Sequence, residues 1–408
     1  DLIPSQGIER IEVLRDAAWA QYGSDAMAGV VNIILKGGEG GSAQVLTGAT
    51  GAGDGETLQG SINYGFGLGD KGFFNLTLNA QTTNLVDRGD VTPNTTTPFY
   101  PLVNGQINPK DATVDRHTAH PGAPQSQLYV ASYNTEYDIA DSVKLYSFGT
   151  VSSRNSAAWL TFRTPLAAGN IIQVYPDGYS PRLYLRDRDY QGAIGFKGMF
   201  GEWNWAPSTT YRRDKNRFDT ASLNAPLGPA SPTQFYAGTL IFKEWTNNFD
   251  INREFDLGLY KPMFVAAGVE HRVDKFAILM GQPESYIIGN YVAPVGQPNA
   301  GVILVGGSQG VSGFGPLAAG KWTRKNQSVY LNIEQALAKG FEVSAAGRFE
   351  HYSDFGNTET FKVSARWEPI EHYAIRGTVS TGFRAPSLQQ QHYGSSSTIG
   401  VIIPPATT

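Results

Sequence analysis

The stretch IERIEVLRDAAWAQYGSDAMAGVVNIILK, residues 8–36, carries the most specific pattern in this chain of 408 residues. Its first part, residues 8–15, alternates apolar and charged side chains, which is typical of a half-buried β-strand. Small residues follow, and residues 30–36 then form a more continuous apolar run. The stretch therefore predicts two strands joined by a connection rich in Ala and Gly.

Beyond this stretch, from about residue 41, roughly thirteen segments alternate apolar and polar residues. Residues 74–81, FNLTLNAQ, have one apolar and one polar face, and residues 361–368, FKVSARWE, repeat that arrangement. Six connections are short, and four of those between them are long and rich in Gly, Pro and Thr, at about 85–126, 155–186, 219–240 and 281–322. Short turns opposite long loops are typical of an antiparallel up-and-down transmembrane barrel.

Aromatic residues flank all six short connections, among them Tyr64, Phe66, Phe73, Phe74, Tyr133, Tyr137, Phe200, Trp203, Tyr260, Phe264, Trp367 and Tyr373. Tyr and Trp prefer the boundary between membrane and water, so this placement favours a membrane girdle. The alternative is that strands are rich in aromatic residues anyway and often end at turns. A soluble sandwich would show the same alternation with its apolar face packed inward.

The composition excludes some classes of protein and leaves others open. A net charge of −4, from 32 basic and 36 acidic residues, argues against a nucleic-acid partner. No apolar run approaches the roughly 20 residues of a membrane-spanning helix, which leaves a barrel possible. The absence of cysteine excludes disulfides and thiolate metal sites.

Residues 8–36 resemble the end of the plug domain of TonB-dependent outer-membrane receptors. They depart from the family pattern at Asp16 and Ala17, where the family usually has Gly and Pro. GFRAPSL, residues 382–388, resembles a segment that begins a loop in the barrel of the same receptors. The matching plug positions are Arg10, Glu12, Arg15, Tyr22, Gly23, Gly29 and Asn32, and those of the barrel motif are Gly382, Phe383, Arg384 and Pro386.

The resemblance implies an all-β fold, a transmembrane antiparallel up-and-down β-barrel with part of an α+β plug domain. Residues 1–40 are expected to be the C-terminal part of the plug, and residues 41–408 the N-terminal part of the barrel. Barrels of this family have 22 strands, so about nine are expected beyond residue 408. A signal peptide, the segment that contacts TonB and the front of the plug are expected before residue 1.

The same resemblance implies a receptor and active transporter of the Gram-negative outer membrane, with no catalytic residue, no cofactor and no resident metal. Its small-molecule ligand would be a scarce nutrient such as a ferric siderophore, cobalamin or an oligosaccharide. Its partners would be TonB with the inner-membrane energising complex, and outer-membrane lipid and lipopolysaccharide. The alternatives are a passive porin-like channel and a soluble or surface adhesin.

Charged residues suggest how plug and barrel are joined. In the family such charges connect the two parts, and we expect Arg10 and Arg15 to pair with Glu334 and Glu350. Pairing avoids the cost of an unpaired charge in a partly dry interface. The alternative is that water in the lumen solvates each charge separately.

Four other features of the sequence each allow more than one interpretation. Asp115, His117 and His120 could bind a metal ion in the first long loop, although solvation is the commoner outcome for such residues. Arg212, Arg213, Lys215 and Arg217 could meet anionic lipid headgroups, an anionic ligand or only water. Residues 306–310, GGSQG, fit a nucleophile-elbow motif but lack the helix that the motif needs. The long loops contain aromatic residues that either bind a ligand or pack the loops together: Tyr100, Trp159, Tyr175, Tyr179, Phe235, Tyr236 and Phe314.

Overall fold

The structure is a computed structural model, and it describes residues 3–15, 23, 29–91, 98–295, 297 and 300–394. Two antiparallel strands form a small sheet: β1 (Ile8–Arg15) and β2 (Gly29–Leu35). The remaining strands form a second, thirteen-stranded sheet. They are β3 (Gly40–Gly48), β4 (Thr57–Gly67), β5 (Gly72–Thr83), β6 (Gln125–Ala140), β7 (Val143–Trp159), β8 (Arg182–Phe200), β9 (Trp203–Ala221), β10 (Gln234–Phe255), β11 (Met263–Met280), β12 (Gly320–Ala338), β13 (Phe341–Tyr352), β14 (Gly356–Ile370) and β15 (Tyr373–Ser380).

In the large sheet, every strand pairs antiparallel with its neighbours in the chain, from β3 at one edge to β15 at the other. This is the up-and-down topology expected from the sequence, with the expected number of strands. Because β3 and β15 are both edges, the sheet is not closed within the described residues. The described α-helix is a short one, α1 (Leu388–His392). None of the described helices is long and apolar enough to cross a membrane.

The connections alternate in length as expected. Two residues join β6 to β7, β8 to β9, β12 to β13 and β14 to β15, whereas residues 84–124 and 281–319 form long loops on the opposite side. The loops after β7 and β9 are shorter than expected, because the strands continue into them; β10 alone has 22 residues. A membrane-spanning strand needs only about 9–11 residues, so these strands extend beyond the bilayer.

The two faces of the large sheet have the opposite polarity from a soluble sandwich. On β5, Leu76 and Leu78 are 39% and 47% exposed, whereas Asn75 and Thr77 are 4% and 2% exposed. A soluble protein would bury the leucines and expose the amides. The outward side is therefore the apolar one, as contact with lipid requires. This finding argues against the soluble sandwich.

Aromatic rings near the short turns mostly lie on the outward side. Phe66, Phe74 and Tyr133 contact one another across adjacent strands, with centroids 5.5 and 5.9 Å apart. Phe200 and Tyr373 are exposed near other short turns. Phe73 is an exception, because its ring contacts Gly37 on the inward side. Most of the expected girdle is thus present at this end of the strands.

Candidate functional site: the hairpin and the inner wall

The β1–β2 hairpin is held against the inward side of β3–β6 by uncharged groups. Gln6, just before β1, donates from Nε2 to Gln44 Oε1 at 2.6 Å. At the same end of the hairpin, where β1 begins and β2 ends, Asn134 Nδ2 on β6 donates to the carbonyl oxygen of Lys36 at 3.1 Å. The backbone N–H of Lys36 donates to the Gly7 carbonyl at 2.9 Å, which joins the residue before β1 to the residue after β2. Within the residues that the structure describes, the hairpin and the large sheet are thus joined by a small set of neutral hydrogen bonds.

Gly7 shows how close this approach is. It is buried, and a methyl group added to it would lie 2.7 Å from Thr77 Oγ1 and 3.5 Å from Ser132 Oγ. The wall beneath it is a network of amides and hydroxyls, in which Asn63 Nδ2 donates to Asn75 Oδ1 at 2.5 Å and Thr77 Oγ1 at 2.9 Å. Side chains that satisfy one another in this way leave a polar but uncharged surface for the hairpin to lie on.

Three residues of the plug motif form a polar cluster on the hairpin. Glu12 lies opposite Asn32 across the two strands. Its carboxylate accepts from Arg10 Nε at 2.8 Å and from Asn32 Nδ2 at 3.0 Å. These bonds, that from Arg10 first, lower the pKa of Glu12 below its ordinary value. The partner of the Asn32 side chain is thus the Glu12 carboxylate.

The other plug-motif positions are only partly described. Gly23 has a backbone φ of 97° and Gly29 one of 146°, conformations that residues with a side chain rarely adopt. Gly29 pairs with Arg15 at the end of β1. The side chain of Arg15 and the whole of Tyr22 lie outside the described residues. The boundary between plug and barrel at residues 40 and 41 stays a prediction; β3 begins at Gly40.

The charged residues expected to join hairpin and barrel have nearer partners. Arg10 pairs with Glu12 and, at 3.5 Å, with Glu9. Glu350 is buried and accepts from Arg348 Nε at 3.0 Å and Tyr352 Oη at 3.1 Å. Arg348 also lies 3.4 Å from Glu270, which neutralises it further. The pairing of Arg10 and Arg15 with Glu334 and Glu350 stays a prediction, now with competing ion pairs at both ends.

Glu334 lies in a different part of the wall. It faces inward near the short turns, opposite Phe264, and accepts a hydrogen bond from Asn332 Nδ2 at 2.9 Å. It lines a polar cavity of about 440 Å³ together with Lys261, Glu342, Lys362, Arg366 and Arg376. The cavity carries more positive than negative residues, so Glu334 has neighbouring cations on the wall itself.

The GFRAPSL motif folds back onto the inward side of β10–β13. Phe383 contacts the rings of Tyr352 and Phe355, with centroids 6.2 and 5.7 Å away. Arg324 Nη1 donates to the Pro386 carbonyl at 2.9 Å. Leu388 is buried in an apolar cluster that also contains Leu240, Phe276, Ile278 and Phe314.

Most of the remaining motif residues are exposed, although Ala385 is buried, and the motif leads directly into α1. Gly382 and Arg384 are both exposed to solvent. Ser387 caps α1, because its hydroxyl accepts from the Gln390 N–H while the Gln390 side chain accepts from the Ser387 N–H. The motif is therefore a docking segment that fixes the chain after β15 to the inner wall.

The aromatic residues of the long loops pack the loops together. Tyr100, Phe235 and Phe314 are buried. Tyr175 and Tyr179 stack at 4.3 Å beside an apolar cluster that includes Ile171, Leu223 and Leu304, from three different loops. Burial also raises the pKa of Tyr100 to about 12, with a hydrogen bond to Asp177 as the second cause. The sequence left ligand binding and loop packing open, and the structure favours packing for these rings.

The serine of the GGSQG motif is a structural residue. Ser308 is buried, and its hydroxyl donates to the Val311 carbonyl at 2.6 Å. The described residues 309–319 after it contain no helix. A nucleophile elbow requires a strand before the serine and a helix after it. The motif is thus part of a packed loop.

The basic cluster on β9 is divided between the two sides of the sheet. Arg212 lies opposite Glu244 of β10, and Glu244 lies opposite Asp274 of β11. Because Asp274 is buried, all three side chains, including that of Arg212, face inward. Arg213, Lys215 and Arg217 alternate with it along the strand and therefore face outward.

The histidines of the first long loop also have a partner that the sequence did not suggest. Asp115 accepts from the backbone N–H of His117. The carboxylate beside His117 and His120 is that of Asp87, at the start of the loop.

Comparisons with known proteins agree with this architecture. The family model described as "TonB dependent receptor-like, beta-barrel" matches residues 132–406. The vitamin B12 transporter BtuB of Vibrio cholerae serotype O1 is 23% identical over 393 residues, which cover 96% of this chain and 49% of that protein. An iron-regulated outer membrane virulence protein of Vibrio cholerae is 34% identical over 61 residues, which cover 15% of this chain and 9% of that protein.

Solved structures with the same fold include the siderophore receptor PirA from Pseudomonas aeruginosa, at a TM-score of 0.62 and 16% identity over 96% of this chain and 52% of that one. A mutant of the ferric enterobactin receptor PfeA from Pseudomonas aeruginosa has a TM-score of 0.62 and 16% identity over 95% of this chain and 50% of that one. The chain spans about half the length of the relatives that it matches over most of its own length. It belongs to the TonB-dependent receptor family of transport receptors, outer-membrane β-barrel proteins of Gram-negative bacteria.

Proposed function

We propose that the complete protein is an active transporter that captures a scarce small-molecule nutrient and is energised by TonB. The observation that carries this proposal is the separate β1–β2 hairpin on the inward side of the sheet. A simple diffusion pore needs no second sheet inside its wall. A transporter needs one that can move without breaking the barrel.

The contacts of the hairpin suit such a movement. In the described part of the hairpin they are neutral hydrogen bonds from Gln6, Asn134 and Ser42, rather than buried ion pairs. A hydrogen bond of this kind contributes about 0.5–1.5 kcal/mol, and removing one partner of a buried ion pair costs about 3–5 kcal/mol. Force from TonB on the plug would therefore separate these contacts one by one and leave the strand pairing of the barrel intact.

The ligand class follows from the relatives, which are named as a vitamin B12 transporter and as siderophore receptors. We infer cobalamin or a ferric siderophore as the first candidates, with an oligosaccharide as a further one. The test is uptake of labelled cobalamin and labelled ferric siderophores by cells that produce the full-length protein, with and without TonB. Uptake that depends on both TonB and the protein supports the proposal, and uptake independent of TonB contradicts it.

A passive porin-like channel is the second candidate, favoured by the hydrophilic inner wall of Asn63, Asn75 and Thr77. Conductance of the full-length protein in a planar bilayer separates the two functions. A large and steady open current would support the channel, whereas a closed state until the plug is unfolded by urea would support the transporter.

Lipopolysaccharide is a further partner that we propose, and a belt of cations on the outward side supports it. Arg188, Lys215, Lys243 and Lys275 each lie twelve residues from the short-turn end of their strands, β8, β9, β10 and β11. Twelve residues at about 3.3 Å each, tilted by about 40°, rise roughly 30 Å along the barrel axis. The belt therefore lies about one apolar band above the short turns, at the level of the outer headgroups.

Like charges lie directly opposite one another within this belt. Arg188 pairs with Lys215 across β8 and β9, and Lys243 pairs with both Arg213 and Lys275. Such pairs destabilise a sheet unless an anion lies between them. The phosphate groups of lipopolysaccharide are anions with the required position and charge.

Binding of the purified full-length protein to vesicles containing lipid A tests this partner. Replacing Arg188, Lys215, Lys243 and Lys275 by Gln should remove about 4 kcal/mol, at about 1 kcal/mol for each cation, which weakens binding several hundredfold. The control variant carries Lys71→Gln and Lys339→Gln, at the short turns on the other side. Equal binding by the two variants would rule out the belt as the binding surface.

A further inference from the structure

Three side chains that can bind a metal ion meet in the loop between β5 and β6. Asp87 Oδ2 lies 2.7 Å from His120 Nδ1 and 3.4 Å from His117 Nε2. One ligand atom from each of the three lies within 4.8 Å of the others. The side chains of Asp87 and His120 are 24% and 19% exposed and that of His117 is 39% exposed, so solvent reaches the group.

The backbone around Asp87 is held firmly in place. Val86 donates to the Ala123 carbonyl at 3.0 Å and Arg88 to the Pro121 carbonyl at 2.8 Å, which aligns the start of the loop with its end. The backbone N–H of Asp87 donates to Asp54 Oδ2 at 2.8 Å. The carboxylate that faces the histidines is therefore positioned by both ends of the loop and by the β3–β4 connection.

Groups around the three side chains fix their orientation. The Gly89 N–H donates to Asp87 Oδ1 at 2.9 Å, which leaves Oδ2 directed at the two imidazoles. The His120 ring packs against Trp159 at 5.3 Å and against His117 at 4.9 Å. A methyl group at Gly89 would lie 2.9 Å from His117 Nε2 and 1.8 Å from the Ala119 carbonyl oxygen, so only Gly leaves room here. Hydrogen bonds of this outer kind normally orient the ligands of a metal.

We propose that Asp87, His117 and His120 bind one divalent transition-metal ion, with Zn²⁺ as the best match, in the extracellular half of the protein. Two imidazoles and a carboxylate are a common donor set for Zn²⁺, with bond lengths of about 2.0–2.2 Å. Small side-chain rotations bring three atoms within 4.8 Å of one another to such distances. A fourth position remains open to water or to a donor atom of a bound ligand.

The carboxylate ligand is Asp87 and not Asp115, which the sequence suggested. Asp115 was the candidate carboxylate, and its Oδ1 instead accepts from the His117 N–H at 2.9 Å. That bond orients the loop at His117 and occupies Oδ1 of the Asp115 carboxylate. Asp87, 33 residues before His120, supplies the third ligand because the loop ends are paired.

Metal binding to the purified, untagged full-length protein tests this site, with Zn²⁺ as the probe. Isothermal titration calorimetry should give one Zn²⁺ per chain. The variants Asp87→Asn, His117→Ala and His120→Ala should each bind at least about tenfold more weakly, the lower end of what the loss of even an outer-shell partner costs. His351→Ala is the matched control, because His351 on β13 is bonded to Asn357, which lies opposite it on β14 and outside the proposed site.

Co²⁺ gives a second readout that depends on the ligands rather than on folding. The wild-type protein and His351→Ala should show the visible absorption of a four-coordinate Co²⁺ site, and His117→Ala and His120→Ala should lose it. Unchanged thermal unfolding of the variants without metal would show that they fold. Zn²⁺ binding by the wild-type protein no tighter than by His120→Ala, or the same Co²⁺ spectrum from both, would overturn the proposal.

Discussion

Arg324→Gln should release the GFRAPSL segment from the inner wall, because this guanidinium joins three parts of the chain. Arg324 Nε donates to both carboxylate oxygens of Asp354, at 3.1 and 2.9 Å, and Nη1 donates to the Pro386 carbonyl. Its side chain is 3% exposed and lies 5.1 Å from the centre of the Phe355 ring. Gln can replace one of these bonds at most.

The size of the effect follows from the burial of the two partners. Hydrogen bonds to charged groups contribute about 1.5–3 kcal/mol, and breaking a buried pair costs about 3–5 kcal/mol. The Asp354 side chain is 29% exposed, so water can solvate it again after the change. We therefore expect a loss at the lower end of the range for a buried pair, about 3 kcal/mol in the free energy of unfolding.

The measurement is urea unfolding of the full-length protein in lipid vesicles, followed by hydrogen exchange at residues 383–392. Arg366→Gln is the control, because Arg366 and Glu368 form an exposed pair on β14 that should contribute about 0–1 kcal/mol. Arg324→Gln should lower stability more than the control and speed exchange in the segment. Equal effects of the two variants, or unchanged exchange at Ala385–Leu388, would refute this account of the docking segment.

Three further predictions concern the wall, the hairpin and the first long loop. Leu78→Lys, on the outward side of β5, should lower the free energy of unfolding in lipid by about 2–4 kcal/mol. Gln81→Lys, on the inward side of the same strand, should change it far less. Equal losses for the two variants would contradict the assignment of the two sides. Gly7→Val should displace the hairpin, because even a methyl group at this position would lie 2.7 Å from Thr77 Oγ1. Faster hydrogen exchange of β2 would detect the displacement. Unchanged exchange would count against the close contact between Gly7 and the wall. Hydrogen bonds from Arg88, Thr50 and the Asp87 N–H lower the pKa of Asp54. The stabilising contribution of this anchor is therefore fully present above the ordinary pKa of about 3.9, and it declines progressively as the pH falls from there through the lowered pKa. Pepsin should therefore cleave residues 84–124 faster as the pH falls below about 4, and Asp54→Asn should cause the same sensitivity to trypsin at pH 7; a loop equally resistant in both proteins would show that Asp54 is no anchor.

The strands could be predicted because their signal is local. The period of two in residues such as Phe74–Gln81 needs no knowledge of distant residues, and short turns interrupt it at regular places. Which face points outward is not local, and the sequence left lipid contact and a soluble sandwich open. The exposure of Leu78 beside the buried Thr77 decides that question.

The ion pairs were harder to predict because they join distant strands. Glu350 could have been matched to Arg348, since residues two apart on a strand share a face. Glu270 is 78 positions from Arg348, and only the order of the strands brings it near. For the same reason the sequence suggested Asp115 rather than Asp87 beside the histidines. Pairing of the loop ends, not spacing along the chain, selects the carboxylate.

The surplus length of β10 has a mechanical consequence for the wall on the side of the long loops. The nine residues from Gln234 to Phe242 stand above the cation belt, a height of roughly 20–25 Å at the usual rise and tilt. This extension is built from backbone paired with β9 and β11, so its height does not depend on the conformation of the loops. Insertions or deletions in the loop at residues 222–233 should then change the rim above the strands, while the paired strands below keep their spacing.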